Sequence, residues 1–159
     1  MFIFLQNQGL GSIPLVFAIF VAARFPSDAL RLQDCLGALI LLGGIAGEAL
    51  SDAQLKRFRE DPANNGRVCD VGLWRWSRHP NYFFEWTIWV GYAVFALASP
   101  GGWIALAMPA LMLHFLINVT GLKATEEQAL RTKGERYRTY QARTSGFIPW
   151  IPRKLSERT

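Results

Sequence analysis

Between Glu85 and Lys123 the chain contains no Asp, Glu, Lys or Arg. Between Leu32 and Leu50 the only charges are Asp34 and Glu48. Stretches of this length and polarity suit a bilayer, whose hydrocarbon core of about 30 Å takes roughly 20 helical residues to cross. Mean hydropathy, at +0.15, does not separate a membrane chain from a greasy soluble one, so the placement of charge decides. With 51% hydrophobic and 13% aromatic residues and only two cysteines, a disordered chain and a disulfide scaffold are excluded. The 159 residues are enough for one domain, so 1–159 is read as a single membrane domain.

Cys35 starts an apolar stretch and Cys69 falls in a charged loop, so two free thiols are expected. Two histidines and no Cys/His cluster exclude a structural zinc site, and no metal is expected. Met-Phe-Ile-Phe-Leu-Gln-Asn-Gln lacks a basic region and a small-residue cleavage pattern, so it does not read as a signal peptide. It leads almost directly into a span, as if the start of a longer protein were missing.

Four apolar stretches stand out. The first covers about Gly9 to Ala23, with Pro14 inside and a weaker Phe2–Leu5 run before it. The second covers Leu32 to Leu50 and the third Asn81 to Ala98. A turn at Ser99-Pro-Gly-Gly102 leads to the fourth, Trp103 to Val119. The predicted fold is therefore an all-α, polytopic membrane bundle of about four transmembrane helices. Lys56, Arg57, Arg59, Arg67, Arg75 and Arg78 crowd the loop 51–82, and nine further Lys and Arg residues lie from Lys123 onward. Alternating spans put both basic regions on one side, and the positive-inside rule makes that side the cytoplasm. Topology alone is one sufficient reason for these charges. Gly43 and Gly47 form a small-xxx-small pair suited to close helix contact.

Glu48, Asp52, Leu55 and Arg59 follow i, i+4, i+7, i+11 and form one stripe on a helix predicted to end before Pro62. Two acids and an arginine at a membrane boundary serve either a function or an interfacial ion-pair network. Downstream, Gly72-Leu-Trp-Arg-Trp-Ser-Arg-His-Pro-Asn-Tyr-Phe-Phe-Glu-Trp86 places Pro80 at a helix start. Asn81 and Glu85 are then i and i+4 on one face. The free N–H groups of that helix start, beside Arg75 and Arg78, suit an anion. Trp74, Trp76 and Tyr82 offer flat faces for the rings of a phosphate-bearing cofactor. Glu85, about one turn inside the membrane, needs a donor from a ligand or a neighbouring helix. An aromatic belt with Arg anchors also explains the Trp and Arg residues, but not Asn81 or Glu85.

His79 reads either as a general acid–base or, with greater weight, as a helix-entry residue bonded to backbone. His114 reads as a packing residue. Glu126, Glu127 and Leu130 mark a short amphipathic C-terminal helix that Gly134 interrupts and Tyr137 and Tyr140 extend. Phe147-Ile-Pro-Trp-Ile-Pro152 suits the membrane interface, and the basic tail suits anionic lipid.

Three segments carry a resemblance: Gly47-Glu-Ala-Leu-Ser-Asp-Ala-Gln-Leu-Lys-Arg-Phe-Arg59, Leu73-Trp-Arg-Trp-Ser-Arg-His-Pro-Asn-Tyr-Phe-Phe-Glu-Trp86 and Lys133-Gly-Glu-Arg-Tyr-Arg-Thr-Tyr-Gln-Ala-Arg-Thr-Ser-Gly-Phe-Ile-Pro-Trp150. The chain resembles the bacterial DUF1295 family, which is similar to the C-terminal domain of steroid 5-alpha-reductases and, more distantly, to isoprenylcysteine carboxyl methyltransferases. The resemblance implies an enzyme of the bacterial inner membrane whose cytoplasmic half clasps NADPH. By position it implies cofactor contacts at Asp52, Arg59, Arg67 and Asn81, with Glu85 in the same motif and Lys123 where the reductases have Arg. Arg78 and Tyr82 complete the expected cofactor-binding set. Glu48 stands where several reductases have Asn. Glu126 and Glu127 stand where they have a His pair, which is closer to the methyltransferases. The Glu/Tyr pair that polarises the substrate enone in the reductases has no counterpart here, so no catalytic residue is assigned.

The leading expectation is reduction of a conjugated C=C in a lipid- or steroid-like substrate by NADPH. Arg59, Arg67, Arg75 and Arg78 would hold phosphates, and Asn81 and Glu85 would orient the nicotinamide amide. The alternatives are methyl transfer from S-adenosylmethionine and a non-catalytic, truncated membrane scaffold. The expected partners are a hydrophobic small molecule and the lipid bilayer, with no nucleic acid. The sequence does not set the oligomeric state.

Overall fold

The computed structural model describes Phe20 and residues 30–119 and 121–154. The first expected span, apart from Phe20, lies outside the described residues. The described chain is helical, with a single isolated parallel bridge between Ser77 and Ser145.

Helix α1 covers Leu32–Glu60. Asp34 in its first turn accepts from the Arg31 amide at 2.8 Å, and Arg57 and Arg59 lie in its last turn. Both signs match the helix dipole. The helix stops where expected, because Asp61 caps a short 3-10 turn, Pro62–Asn64, through the Ala63 amide at 2.9 Å. Helix α2 covers Pro80–Ala96 and starts on Pro80, whose missing N–H costs nothing at that position. A 3-10 turn, Gly102–Leu106, leads into α3, Ala107–His114, which continues as a π-helical turn, Phe115–Val119. Helix α4 is Leu122–Lys133 and α5 is Glu135–Arg143, parted by Gly134 at φ 51°.

Among the described residues, two helices are long and apolar enough to cross a membrane: Leu32–Glu60 and the run Gly102–Lys133, whose apolar part ends before Lys123. The third expected span is the 17-residue α2, somewhat under the roughly 20 residues a bilayer takes.

The chain divides into two compact units, Met1–Gly44 with Trp86–His114, and Ile45–Glu85 with Phe115–Thr159. The first has a core of small side chains: Ala93, Ala96 and Ala105, with Met108 against them. Small residues let backbones approach: a Cβ at Gly91 would lie 2.9 Å from the Leu41 backbone nitrogen. Trp86 Nε1 donates to the Pro109 carbonyl at 3.0 Å, and Gln33 Nε2 to the Val94 carbonyl at 2.6 Å.

The second unit is tied by polar side chains reaching backbone. Ser51, Trp74, Ser77, His79, Tyr137, Tyr140 and Thr144 are buried. Trp74 Nε1 donates to the Ser51 carbonyl at 2.9 Å, and Gln54 Oε1 accepts from the Leu73 amide at 2.9 Å. The Tyr140 hydroxyl donates to the Trp74 carbonyl and lies 3.2 Å from that of Ser77. Gly47, not the Gly43–Gly47 pair, makes the close contact. The Phe84 ring occupies the space a Gly47 side chain would need, whereas a Cβ at Gly43 would meet nothing within 4 Å. At about 100° per residue, Gly44, Gly47, Ser51 and Phe58 face inward and Gly43 lies on the flank. Cys35 and Cys69 are free thiols, as expected.

Candidate functional site

The site is built on the segment between α1 and α2. Gly72–Arg75 forms a 3-10 turn that buries Trp74 against α1. Ser77 follows with no exposed surface. Its hydroxyl donates to the Phe147 carbonyl at 2.7 Å and accepts from the His79 amide at 3.1 Å. These bonds set His79 and Pro80 at the start of α2 and lock them to the tail. The tail returns the contact through the Arg78 amide to the Ser145 carbonyl at 2.8 Å and the Trp150 amide to the Trp76 carbonyl at 2.9 Å.

Glu126 on α4 is the hub. Its Oε1 lies 2.8 Å from Arg78 Nε and 3.3 Å from His79 Nε2, and its Oε2 accepts from Gln141 Nε2 at 2.9 Å. The Arg78 Nε contact is ionic and off the line of a directed hydrogen bond. Burial pushes the Glu126 carboxyl up, but the His79 hydrogen bond, the Arg78 charge and the Gln141 amide outweigh it and hold the group below the usual carboxylate range. A carboxylate only accepts, so His79 donates through Nε2. His79 is 3% exposed and its ring lies parallel to Tyr82, with centroids 5.5 Å apart. His79 does stand at the entry to α2, as expected, but its side chain bonds a carboxylate on α4 rather than backbone, which corrects that part of the favoured reading. The ring faces an acid 47 residues away that local sequence does not reveal.

The expected cofactor-binding residues do not gather in one place. Glu48 and Asp52 on α1 act electrostatically on Glu85 of α2, so these three carboxyls form one neighbourhood. Asn81, one turn before Glu85, keeps its Oδ1 buried with no hydrogen-bond partner among the described residues. Arg59 acts instead on Lys133 and Cys69 at the far end of α1. Burial and the Arg59 charge push the Lys133 ammonium below the usual lysine range, and burial pushes the Cys69 thiol up. Arg67 is exposed, its Nη1 3.5 Å from Asn64 Oδ1, and Lys123 is exposed on α4. Arg78 engages the tail: besides Glu126, its Nη1 donates to the Gln141 carbonyl at 3.0 Å. Tyr82 stacks on His79, and a Cβ at Gly121 would lie 3.1 Å from its ring.

Sequence reasoning did not place Gln141 or Lys133 in the site and gave Glu126 no partner. The one signal available was the spacing of Glu126 and Glu127 after the charge-free stretch, which marks acids close to the membrane boundary but not what they bind.

A model of the family described as "Protein of unknown function (DUF1295)" matches residues 1–144. The uncharacterized protein C594.04c of Schizosaccharomyces pombe is 35% identical over 97 residues, which cover 58% of this chain and 27% of that protein. The chain therefore spans about a quarter of the length of this curated relative. No solved structure matches.

Proposed function

The chain belongs to the DUF1295 family, and from that premise we propose a membrane-embedded, NADPH-dependent reductase that acts on a conjugated C=C of a lipid- or steroid-like molecule. Residence in the bilayer is supported by α1, whose Leu32, Leu36, Leu39, Leu42, Ile45 and Leu50 are exposed. Lipid covers such a stripe without penalty, whereas water does not. The loop 51–82 and the tail, which hold most of the basic residues, face the cytoplasm in this reading.

One observation carries the cofactor assignment: the buried, unpartnered Oδ1 of Asn81, one turn from Glu85. A buried acceptor without a donor costs about 1–3 kcal/mol, and a ligand amide N–H removes that cost. The carboxamide of a nicotinamide has this group. Glu48, Asp52 and Glu85 make the local potential negative, which favours positive charge on a bound ring. Arg59 and Lys133 supply paired cations for phosphate, and exposed Arg67 and Lys123 add to the field. Arg78 and Tyr82 contribute by fixing Glu126 and His79. When bound, NADPH supplies the hydride, and these residues hold and orient it.

The three acids favour a second reading as well. S-adenosylmethionine carries a sulfonium and an ammonium and no phosphate, so an acid neighbourhood suits it. Titration of the detergent-solubilised full chain separates the readings. The reductase reading expects NADPH to bind at micromolar Kd, with at least tenfold loss in both Asn81→Ala and Arg59→Ala. Binding of S-adenosylmethionine without NADPH replaces it with methyl transfer. Binding of neither leaves a non-catalytic scaffold.

A further inference from the structure

In the second unit the tail, together with Arg78, borders a partly open hollow of about 370 Å³. Arg78, Arg143 and Arg153 line it, with Gly146, Trp150 and Ile151. Two of the arginines are already paired: Arg78 with Glu126 at 2.8 Å, and Arg143 with Asp70 at 2.6 Å. Arg153 makes no side-chain hydrogen bond or ion pair among the described residues, and its amide donates to the Arg143 carbonyl at 2.9 Å. The hollow thus keeps a net positive charge. It also keeps one unmet donor: Arg143 Nε is buried with no acceptor among the described residues. A Cβ at Gly146 would lie 3.0 Å from Arg78 Nη2. An acceptor oxygen is what Arg143 Nε and the unpaired Arg153 lack. Glycine at 146 leaves the guanidinium edge uncovered.

The apolar surroundings indicate where that oxygen comes from. Trp150 is 70% exposed and Ile151 69%, and both line the hollow. Ile148 and Trp76 are exposed beside them, Trp76 through the backbone bond from Trp150. Exposed Trp and Ile against arginines match the headgroup level of a bilayer, where an indole sits at the boundary and a guanidinium meets phosphate.

We propose that this hollow is a phosphate-binding site for an anionic phospholipid, with the lipid phosphodiester on Arg153 and Arg143 and the acyl chains running along Trp150 and Ile151. The site docks the tail on the membrane surface. It depends on residence at a membrane and not on the reductase reading, since none of its residues is assigned to NADPH except Arg78, which that reading uses only to fix Glu126.

Native mass spectrometry of the full chain, extracted in detergent and offered phosphatidylglycerol or phosphatidylcholine, tests it. Wild type should retain phosphatidylglycerol in preference. Arg153→Gln should lower that preference about fivefold, the ratio equivalent to roughly 1 kcal/mol per basic residue at an anionic surface. Arg153→Lys should keep most of it, and Trp150→Ala should weaken retention of both lipids. NADPH titration of the same variants should be unchanged, so loss of the cofactor reading would leave this result standing. Equal retention of both lipids by wild type, an unchanged preference in Arg153→Gln, displacement of phosphatidylglycerol by millimolar inorganic phosphate, or loss of NADPH binding in Arg153→Gln would each overturn the proposal.

Discussion

Glu126 shows how one side chain organises its surroundings. It and Arg78 are mostly shielded, with side-chain exposures of 19% and 15%. An ion pair in such a place adds little over an apolar pair, but removing one partner strands the other. Glu126→Gln keeps the shape and removes the charge, so Arg78 is left uncompensated at a cost of about 2–4 kcal/mol. The acid limb of stability has a definite sign. The folded carboxyl lies below its unfolded value, so its contribution is complete above the usual glutamate range and is lost as pH falls through the folded value. Melting curves should therefore show a constant gap between wild type and Glu126→Gln above about pH 5 that closes on acidification. A gap independent of pH would mean that the charge is not what stabilises. Asn81 is the opposite case: its Oδ1 is buried and has no hydrogen-bond partner among the described residues.

Helix boundaries follow local rules closely. Pro80 opens α2, α1 ends before Pro62, and Gly134 parts α4 from α5, each as the sequence predicts, while the Asp61 cap is seen only in the structure. Helix faces follow less well. Spacing alone marked Gly43 and Gly47 as a contact pair, yet only Gly47 meets a neighbour, the Phe84 ring. Gly47→Ala should lower the melting temperature in detergent, since overpacking costs about 1–3 kcal/mol and outweighs the helical gain of alanine. Gly43→Ala should raise it or leave it unchanged, because alanine is favoured over glycine by about 1 kcal/mol in a helix and finds open space here. The reverse order would place α2 against the other flank of α1.

At the scale of the molecule, burial itself points to the surrounding medium. The second unit hides serines, a histidine and tyrosines while α1 exposes leucines, with Leu39 68% and Leu42 62% exposed. Leu39→Arg should reduce bilayer insertion by roughly 3 kcal/mol on the translocon scale. The check is the share of the chain retained in membranes after an alkaline carbonate wash. Retention equal to wild type would count against α1 as a span. The tail belongs to the same scale: Ser77 to Phe147, Arg78 to Gln141 and Asp70 to Arg143 join segments more than sixty residues apart, so tail and loop form one structure.

Charge-free length, proline and glycine positions, and the clustering of Lys and Arg determined the helices, their ends and the apolar segments. These are properties of neighbouring residues, and a single sequence contains them. Glu126 reaching His79, Arg78 and Gln141, the orphaned Asn81 oxygen, and the choice of Gly47 over Gly43 were decided by packing. Each depends on which faces of distant helices meet, and helical periodicity offers several equivalent faces until a neighbour selects one.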